Sequence, residues 1–166
     1  MTSTSSLLQN PLRLPCGVVL PNRIAKSAMS EALADDHGRV TPRLARLYRR
    51  WAKGGVGTMV TGNAVIDALH VERPGNVVIH EGTGLEELRA WAQAAGAGGA
   101  VTLLQINHAG RQTARFVNPE PTGPSAVQAV RRLRAFGRPR AASTEEICRI
   151  ESQLVSAAVL AERAGF

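Results

Sequence analysis

The chain has 166 residues, 44% hydrophobic and 20% charged, a mixture that supports one buried core and excludes a disordered or fibrous polypeptide. Lysine and arginine total 20 against 13 acids, a net charge of +7, and Lys26 and Lys53 are the only lysines. Such a surplus attracts phosphates and acidic partners. Its densest cluster is Arg131, Arg132, Arg134, Arg138 and Arg140, with Phe136 as the single interleaved aromatic. Base stacking lacks a platform there, so no nucleic-acid partner is expected and the cluster reads as a solvated or covering loop. Cys16 and Cys148 are too few and too far apart for a disulfide framework or a metal motif, and are expected to be small packed residues in a reducing cytoplasm. Neither an export signal nor an apolar membrane span is visible, so a soluble, cytoplasmic protein is expected.

In chain order, residues 1–10 are Ser/Thr-rich and are expected to be disordered. Leu12 to Leu14 and Val18 to Leu20 flank a Pro15-Cys16-Gly17 break, which predicts a small β-hairpin ahead of the main fold. Three short apolar runs then follow, Ile24–Met29, Val56–Val65 and Ala100–Ile106, each reading as a strand buried on both faces. A helical pattern follows each run. The first has Thr41 as cap, Pro42 at the first position, and Leu44, Leu47, Tyr48 and Trp51 on one face up to Gly54-Gly55. The second pairs Thr83 with Glu86 as a capping box and carries Leu85, Leu88 and Trp91 up to Gly96. The third pairs Ser143 with Glu146 and carries Ile147, Ile150, Leu154 and Ala158. Three successive strand-helix units predict an α/β fold with a parallel sheet. The connection from Arg111 to Ala142 is long enough to suggest a functional loop, and Pro119, Pro121, Pro124 and Pro139 suggest fixed turns within it.

Ligands in parallel α/β folds bind at the C-terminal ends of strands. The three predicted strands end in Ser27-Ala28-Met29-Ser30, Thr61-Gly62-Asn63 and Gln105-Ile106-Asn107-His108. No G-x-G-x-x-G follows the first strand, and no P-loop is present, which removes the main support for a dinucleotide-binding Rossmann fold. Clusters rich in amides and hydroxyls and poor in carboxylates suit a neutral heterocycle better than a metal or a hydrolytic centre. A glutamine amide offers a donor and an acceptor together, matching the edge of a flavin pyrimidine ring, and Ala28 and Gly62 are small enough for a flat ring to approach. The alternative is that Asn63 and Gln105 merely finish their strands.

These residues resemble the old yellow enzyme family, the NADH:flavin oxidoreductases that include FMN-dependent ene-reductases. The resemblance is carried by Leu20-Pro21-Asn22-Arg23-Ile24 leading into Ser27-Ala28-Met29-Ser30; by Thr61-Gly62-Asn63-Ala64-Val65 with Pro74-Gly75-Asn76-Val77-Val78; by Gln105-Ile106-Asn107-His108-Ala109-Gly110-Arg111-Gln112; and by Gly123-Pro124-Ser125-Ala126 and Pro139-Arg140 ahead of Thr144-Glu145-Glu146-Ile147. It spans about Leu12 to Phe166. It implies an incomplete TIM (β/α)8 barrel over residues 11–166, with the first three βα units preceded by the hairpin and the fourth strand falling after Phe166. Pattern alone does not choose that barrel over an open sheet.

The resemblance further implies FMN as cofactor, NAD(P)H as co-substrate and an activated alkene as the small-molecule substrate. Ser27, Ala28 and Met29 would line the flavin. Ser30 stands where the family has a Thr or Cys near the flavin C4 carbonyl, Gly62 would lie against the isoalloxazine, and Gln105 would bond its pyrimidine edge. His108 and Arg111, in the H-x-G-R motif, would hold their loop, while His37, His70 and His80 read as surface residues. Ala28 departs from a frequent proline, and Ala32 lies where some members place an active-site tyrosine. In the family, hydride passes from NAD(P)H to the flavin and on to the alkene β-carbon, with enolate donors, a proton-donating tyrosine and the phosphate grip on later strands. No catalytic residue is therefore expected in this chain, which alone should bind FMN weakly or not at all and show no turnover. The competing expectations are one half of a split barrel that needs its C-terminal partner, and a non-catalytic interaction module using Arg131–Arg140.

Overall fold

The computed structural model describes residues 4–129 and 135–166, so Arg131, Arg132 and Arg134 of the arginine cluster lie outside the described residues. Residues 4–9 differ from expectation. Thr4–Gln9 is a short helix (α1), and the Leu8 carbonyl accepts from the Arg23 amide at 2.9 Å, which ties the segment to the start of the main fold. The hairpin forms as predicted: β1 (Leu12–Arg13) pairs antiparallel with β2 (Val19–Leu20) around Gly17, whose φ of +90° is the left-handed turn geometry glycine supplies without steric cost.

The main sheet holds β3 (Ala25–Lys26), β4 (Thr58–Val65), β5 (Val77–Val78) and β6 (Val101–Asn107). All its pairings are parallel, and β4 is the hub that contacts the other three. The run predicted from Ile24 to Met29 contributes only two paired residues, because Ser27–Ser30 leave the ladder at its C-terminal end.

The first helix, α2 (Pro42–Ala52), starts as predicted, with the Thr41 hydroxyl accepting from the Leu44 amide and Pro42 at the first position. The second, α3 (Leu85–Gly96), corrects the predicted capping box. Gly84 is its cap, and the Thr83 hydroxyl is spent one turn earlier, accepting from the His80 amide at 2.8 Å. The third, α4 (Thr144–Ala164), has the Ser143–Glu146 capping box intact. Its buried face is rotated from the predicted one. Ala157, Ala161 and Ala164 are buried and Ile150 packs against the core as predicted, whereas Ile147, Leu154 and Ala158 face outward beside Val155 and Val159.

Apolar packing lies on one face of the sheet. Leu44, Tyr48 and Ala52 of α2 and Leu88, Trp91, Ala94 and Ala95 of α3 close over Met59, Ala64 and Ile66, with Ala157 and Ala164 of α4 joining the same core. Tyr48 meets Trp51 and Trp91 edge to face at 5.2 and 5.4 Å. At the end of α4, Gly165 adopts φ of +100° and turns Phe166 back onto Trp91 at 5.4 Å. The opposite face is open along β3 and β6, where Ala25, Leu103 and Gln105 are exposed. Parallel sheets are normally covered on both faces, so a curved sheet with helices outside and an open inner face is the geometry of part of a barrel wall.

The described parts of the long connection carry short pairings. Strands β7 (Thr122–Gly123) and β8 (Arg140–Ala141) run parallel, and the Arg115 amide donates to the Ala135 carbonyl and the Gly137 amide to the Thr113 carbonyl, tying the residues before β8 to the segment before β7. Cys16 and Cys148 are exposed, against the expectation that they pack in the core. Among the described residues, no helix is long and apolar enough to cross a membrane.

Candidate functional site

The C-terminal ends of β3, β4 and β6 meet in one mouth. Asn63 of β4 is in register with Gln105 of β6, and the Asn63 Nδ2 lies 3.3 Å from the Ser30 Oγ, so the ends of all three strands are linked through Asn63. The register shifts between Val60 and Asn63, a bulge that the Thr61 hydroxyl stabilises by donating to the Gly62 carbonyl and accepting from the Gln105 amide. The Gln105 side chain is exposed and makes no hydrogen bond to a described residue, leaving its donor and acceptor open. Beyond the end of β3, Met29 is about half exposed, Ser27 is exposed and Ala28 half-buried. Ser27, Ala28, Met29, Ser30, Gly62 and Gln105 are thus assembled in one region.

Gly62 has a reason for its size that lies within the chain. A Cβ there would collide with the Met29 carbonyl and the Glu31 carboxylate, so the space it leaves is filled by the segment carrying Ser27–Ser30. Ala32 adopts φ of +54°, a conformation alanine rarely takes, and Gly75 is the residue against which its backbone packs.

Sequence reasoning expected a mouth poor in carboxylates, and the structure supplies two. Glu31 accepts the Tyr48 phenol at 2.6 Å, and the same phenol oxygen accepts the Gly62 amide at 2.8 Å. Burial, reinforced by the Glu31 carboxylate, pushes the Tyr48 hydroxyl well above its ordinary range. Lys26 Nζ sits 3.6 Å from Glu31, donates to the Ser27 and Val60 carbonyls, and lies 4.6 Å from the centre of the Trp51 ring. Burial lowers the Lys26 ammonium while Glu31 works in the opposite direction. The second carboxylate, Glu72, accepts from the Ser30 hydroxyl at 2.9 Å and the Asn63 amide at 2.8 Å on one oxygen, and from Arg73 on the other. Burial pushes Glu72 up, but the bonds from Ser30, Arg73 and Asn63 outweigh it and hold the carboxyl below its usual range. Glu31 was legible as the neighbour of Ser30, whereas nothing local marks Glu72, which lies 42 residues from its partner.

His70 is not a surface residue. It is buried, its Nδ1 pairs with Asp67 at 2.9 Å, and its Nε2 accepts the Thr122 amide at 3.0 Å, fastening β7 to the end of β4. His108 stacks on it at 4.4 Å between ring centres and accepts the Gly110 amide within its own turn. Burial, aided by His70, lowers His108 to about 4. Asp67, His70 and His108 are grouped closely enough to suggest a metal, but both nitrogens of His70 are already committed, so the group acts as a strut. His37, His80 and Arg111 are exposed. Arg140 forms a two-pronged pair with Glu146 at the start of α4.

Residues 8–166 match the model of the NADH:flavin oxidoreductase / NADH oxidase family. The chain is 33% identical over 178 residues to the NADH-dependent flavin oxidoreductase iliE of Hypocrea jecorina, an alignment covering 94% of this chain and 43% of that protein. Among solved structures it is similar to 2-naphthoyl-CoA reductase, with a TM-score of 0.88 and 26% identity, covering 97% of this chain and 26% of that one. It is also similar to morphinone reductase, with a TM-score of 0.80 and 26% identity, covering 96% of this chain and 46% of that one. The chain therefore spans less than half the length of each of these relatives.

Proposed function

Because this chain belongs to the NADH:flavin oxidoreductase / NADH oxidase family, we propose that it forms the N-terminal wall of an FMN-dependent NAD(P)H oxidoreductase and lines one edge of the FMN site. The observation that carries this reading is the single mouth formed by Ser30, Asn63 and Gln105, with Gln105 and Met29 exposed beside it. The exposed amide suits the donor-acceptor edge of a pyrimidine ring, Met29 offers apolar contact to a flat ring, and Ala28 keeps the approach open. The residues fit one edge of the cofactor. The small size of Gly62 also serves the chain itself, because Met29 and Glu31 fill the space beside it and the Ser27–Ser30 segment can close on β4.

A bound FMN would supply hydride relay from NAD(P)H to the β-carbon of an activated alkene. The chain's own residues orient and exclude: Gln105 sets the ring edge, and the Tyr48–Glu31–Lys26 network fixes the backbone on which Ser27–Ser30 stand. Catalytic donors and the phosphate grip are assigned to the part of the barrel that these residues do not form. Among the described residues, β6 pairs with β4 on one edge only, and the outward stripe Ile147, Leu154, Val155 and Val159 of α4 is exposed nearby, which supports docking of a further parallel βα unit. By itself the chain binds FMN weakly and has no reductase turnover.

Absorbance between about 350 and 500 nm tests this reading. The purified chain mixed with FMN should retain little colour after desalting, whereas co-expression with the C-terminal part of a family relative should give a yellow complex. Colourless material in the co-expressed complex, with both polypeptides present, contradicts the proposal.

A further inference from the structure

The Ser30 hydroxyl is engaged before any ligand arrives. Its proton goes to Glu72 Oε2 at 2.9 Å, because an ionised carboxylate can only accept. One of its two lone pairs faces the Asn63 Nδ2 at 3.3 Å, and that amide also donates to Glu72 Oε2 at 2.8 Å. The triangle is closed, and what remains on Ser30 Oγ is a single acceptor lone pair. Glu72 is itself held, since its other oxygen takes the Arg73 guanidinium at 2.9 Å. An unengaged serine rotates freely and would donate to a ring carbonyl; this one is fixed with the opposite polarity.

We infer that Glu72 is a positioning residue of the cofactor site, which locks Ser30 and Asn63 into one unit and makes Ser30 an acceptor rather than a donor toward the bound ring. The inference rests on the reading that this mouth takes FMN, and goes beyond it by assigning a role to a carboxylate on the connection between β4 and β5. Glu72 acts through Ser30 and Asn63, so its removal frees the serine hydroxyl and the asparagine amide together. Arg73, which is largely exposed, neutralises the far oxygen and leaves the near one to carry both bonds.

The test uses the full 166-residue chain as wild type, Glu72→Gln, Glu72→Ala, Ser30→Ala and the Ser30→Ala/Glu72→Ala double variant. The first readout needs no flavin: the Asn63 side-chain amide followed by NMR. Its protons should exchange about tenfold more slowly in the wild type than in Glu72→Ala. Glu72→Gln, nearly the same shape, should give an intermediate rate and guards against a variant that simply fails to fold. The second readout is the FMN dissociation constant, from quenching of flavin fluorescence, of each variant co-expressed with the C-terminal part of a family relative. Glu72→Ala and Ser30→Ala should each change it by about fivefold, and the double variant should match either single one, because the residues act as a unit. Asn63 exchange that is the same in wild type and Glu72→Ala overturns the inference, as do single effects that multiply in the double variant. A changed Asn63 amide with FMN affinity unmoved leaves the triad standing and overturns its place in a cofactor site, whereas a wild-type complex that takes up no FMN overturns the reading of the mouth itself.

Discussion

Replacing Tyr48 with phenylalanine isolates one hydroxyl at the junction of helix layer and mouth. The Tyr48 ring is fully buried and packs edge to face on Trp51 and Trp91, contacts that phenylalanine keeps. The hydroxyl alone is lost, and with it two bonds: the 2.6 Å donation to Glu31 and the 2.8 Å bond accepted from the buried Gly62 amide. A hydrogen bond to a charged group is worth about 1.5–3 kcal/mol, and a buried N–H left without a partner costs a further 1–3 kcal/mol or so. Lys26, 3.6 Å from Glu31, recovers part of the first loss. A net destabilisation of about 3 kcal/mol is expected, which at a urea slope of about 2 kcal/mol per molar lowers the unfolding midpoint by about 1.5 M. The assay is urea unfolding followed by tryptophan fluorescence, with Trp51 and Trp91 beside the mutated ring. An unchanged slope with a midpoint shift under about 0.5 M would mean that the Tyr48–Glu31–Gly62 bridge contributes little, and would refute the reasoning.

Gly62→Ala should destabilise by about 2–3 kcal/mol in the same assay, because its methyl group meets the Met29 carbonyl and Glu31. Gly96→Ala is the control: its methyl group would meet only Thr102, at 3.9 Å, and should stabilise α3 by about 0.5 kcal/mol. His108 is held at about 4 in the folded chain against 6.5 when free. The unfolded chain therefore binds the extra proton first, so this contribution is complete above about pH 6.5 and is lost as pH falls toward 4. Discounted for partial exposure, the loss is about 1–2 kcal/mol. His108→Asn, which retains an acceptor for the Gly110 amide, should flatten the stability profile across that window. An undiminished slope in the variant would assign it to other groups.

Much of the framework was legible from local signals. The Pro15-Cys16-Gly17 break predicted the hairpin, Thr41-Pro42 and Ser143–Glu146 predicted two helix starts, and the three apolar runs predicted the parallel strands, because caps, turns and burial on both faces each act within a few residues. The polar strand ends also named residues that the fold brings together, since Asn63 joins Ser30 and stands in register with Gln105. Other features depended on partners far along the chain. Thr83 had the right neighbour for a capping box, yet its hydroxyl found the His80 amide instead. The face of α4 was predicted from its largest apolar residues, whereas the close approach of α3 and β6 admits alanines and leaves Ile147 and Leu154 outside.

By itself, then, the sequence determined the hairpin, the three main strands and the three long helices, and that amides and hydroxyls gather at the strand ends, since periodicity and capping are properties of neighbours in the chain. Tertiary structure alone decided that Glu72 crosses 42 residues to bind Ser30, that Tyr48 reaches from a helix to hold the Gly62 bulge, and that His70 is buried as a strut to β7. Such bonds form wherever the packed backbone brings a desolvated donor within about 3 Å of an acceptor, a coincidence in space that no spacing along the chain encodes.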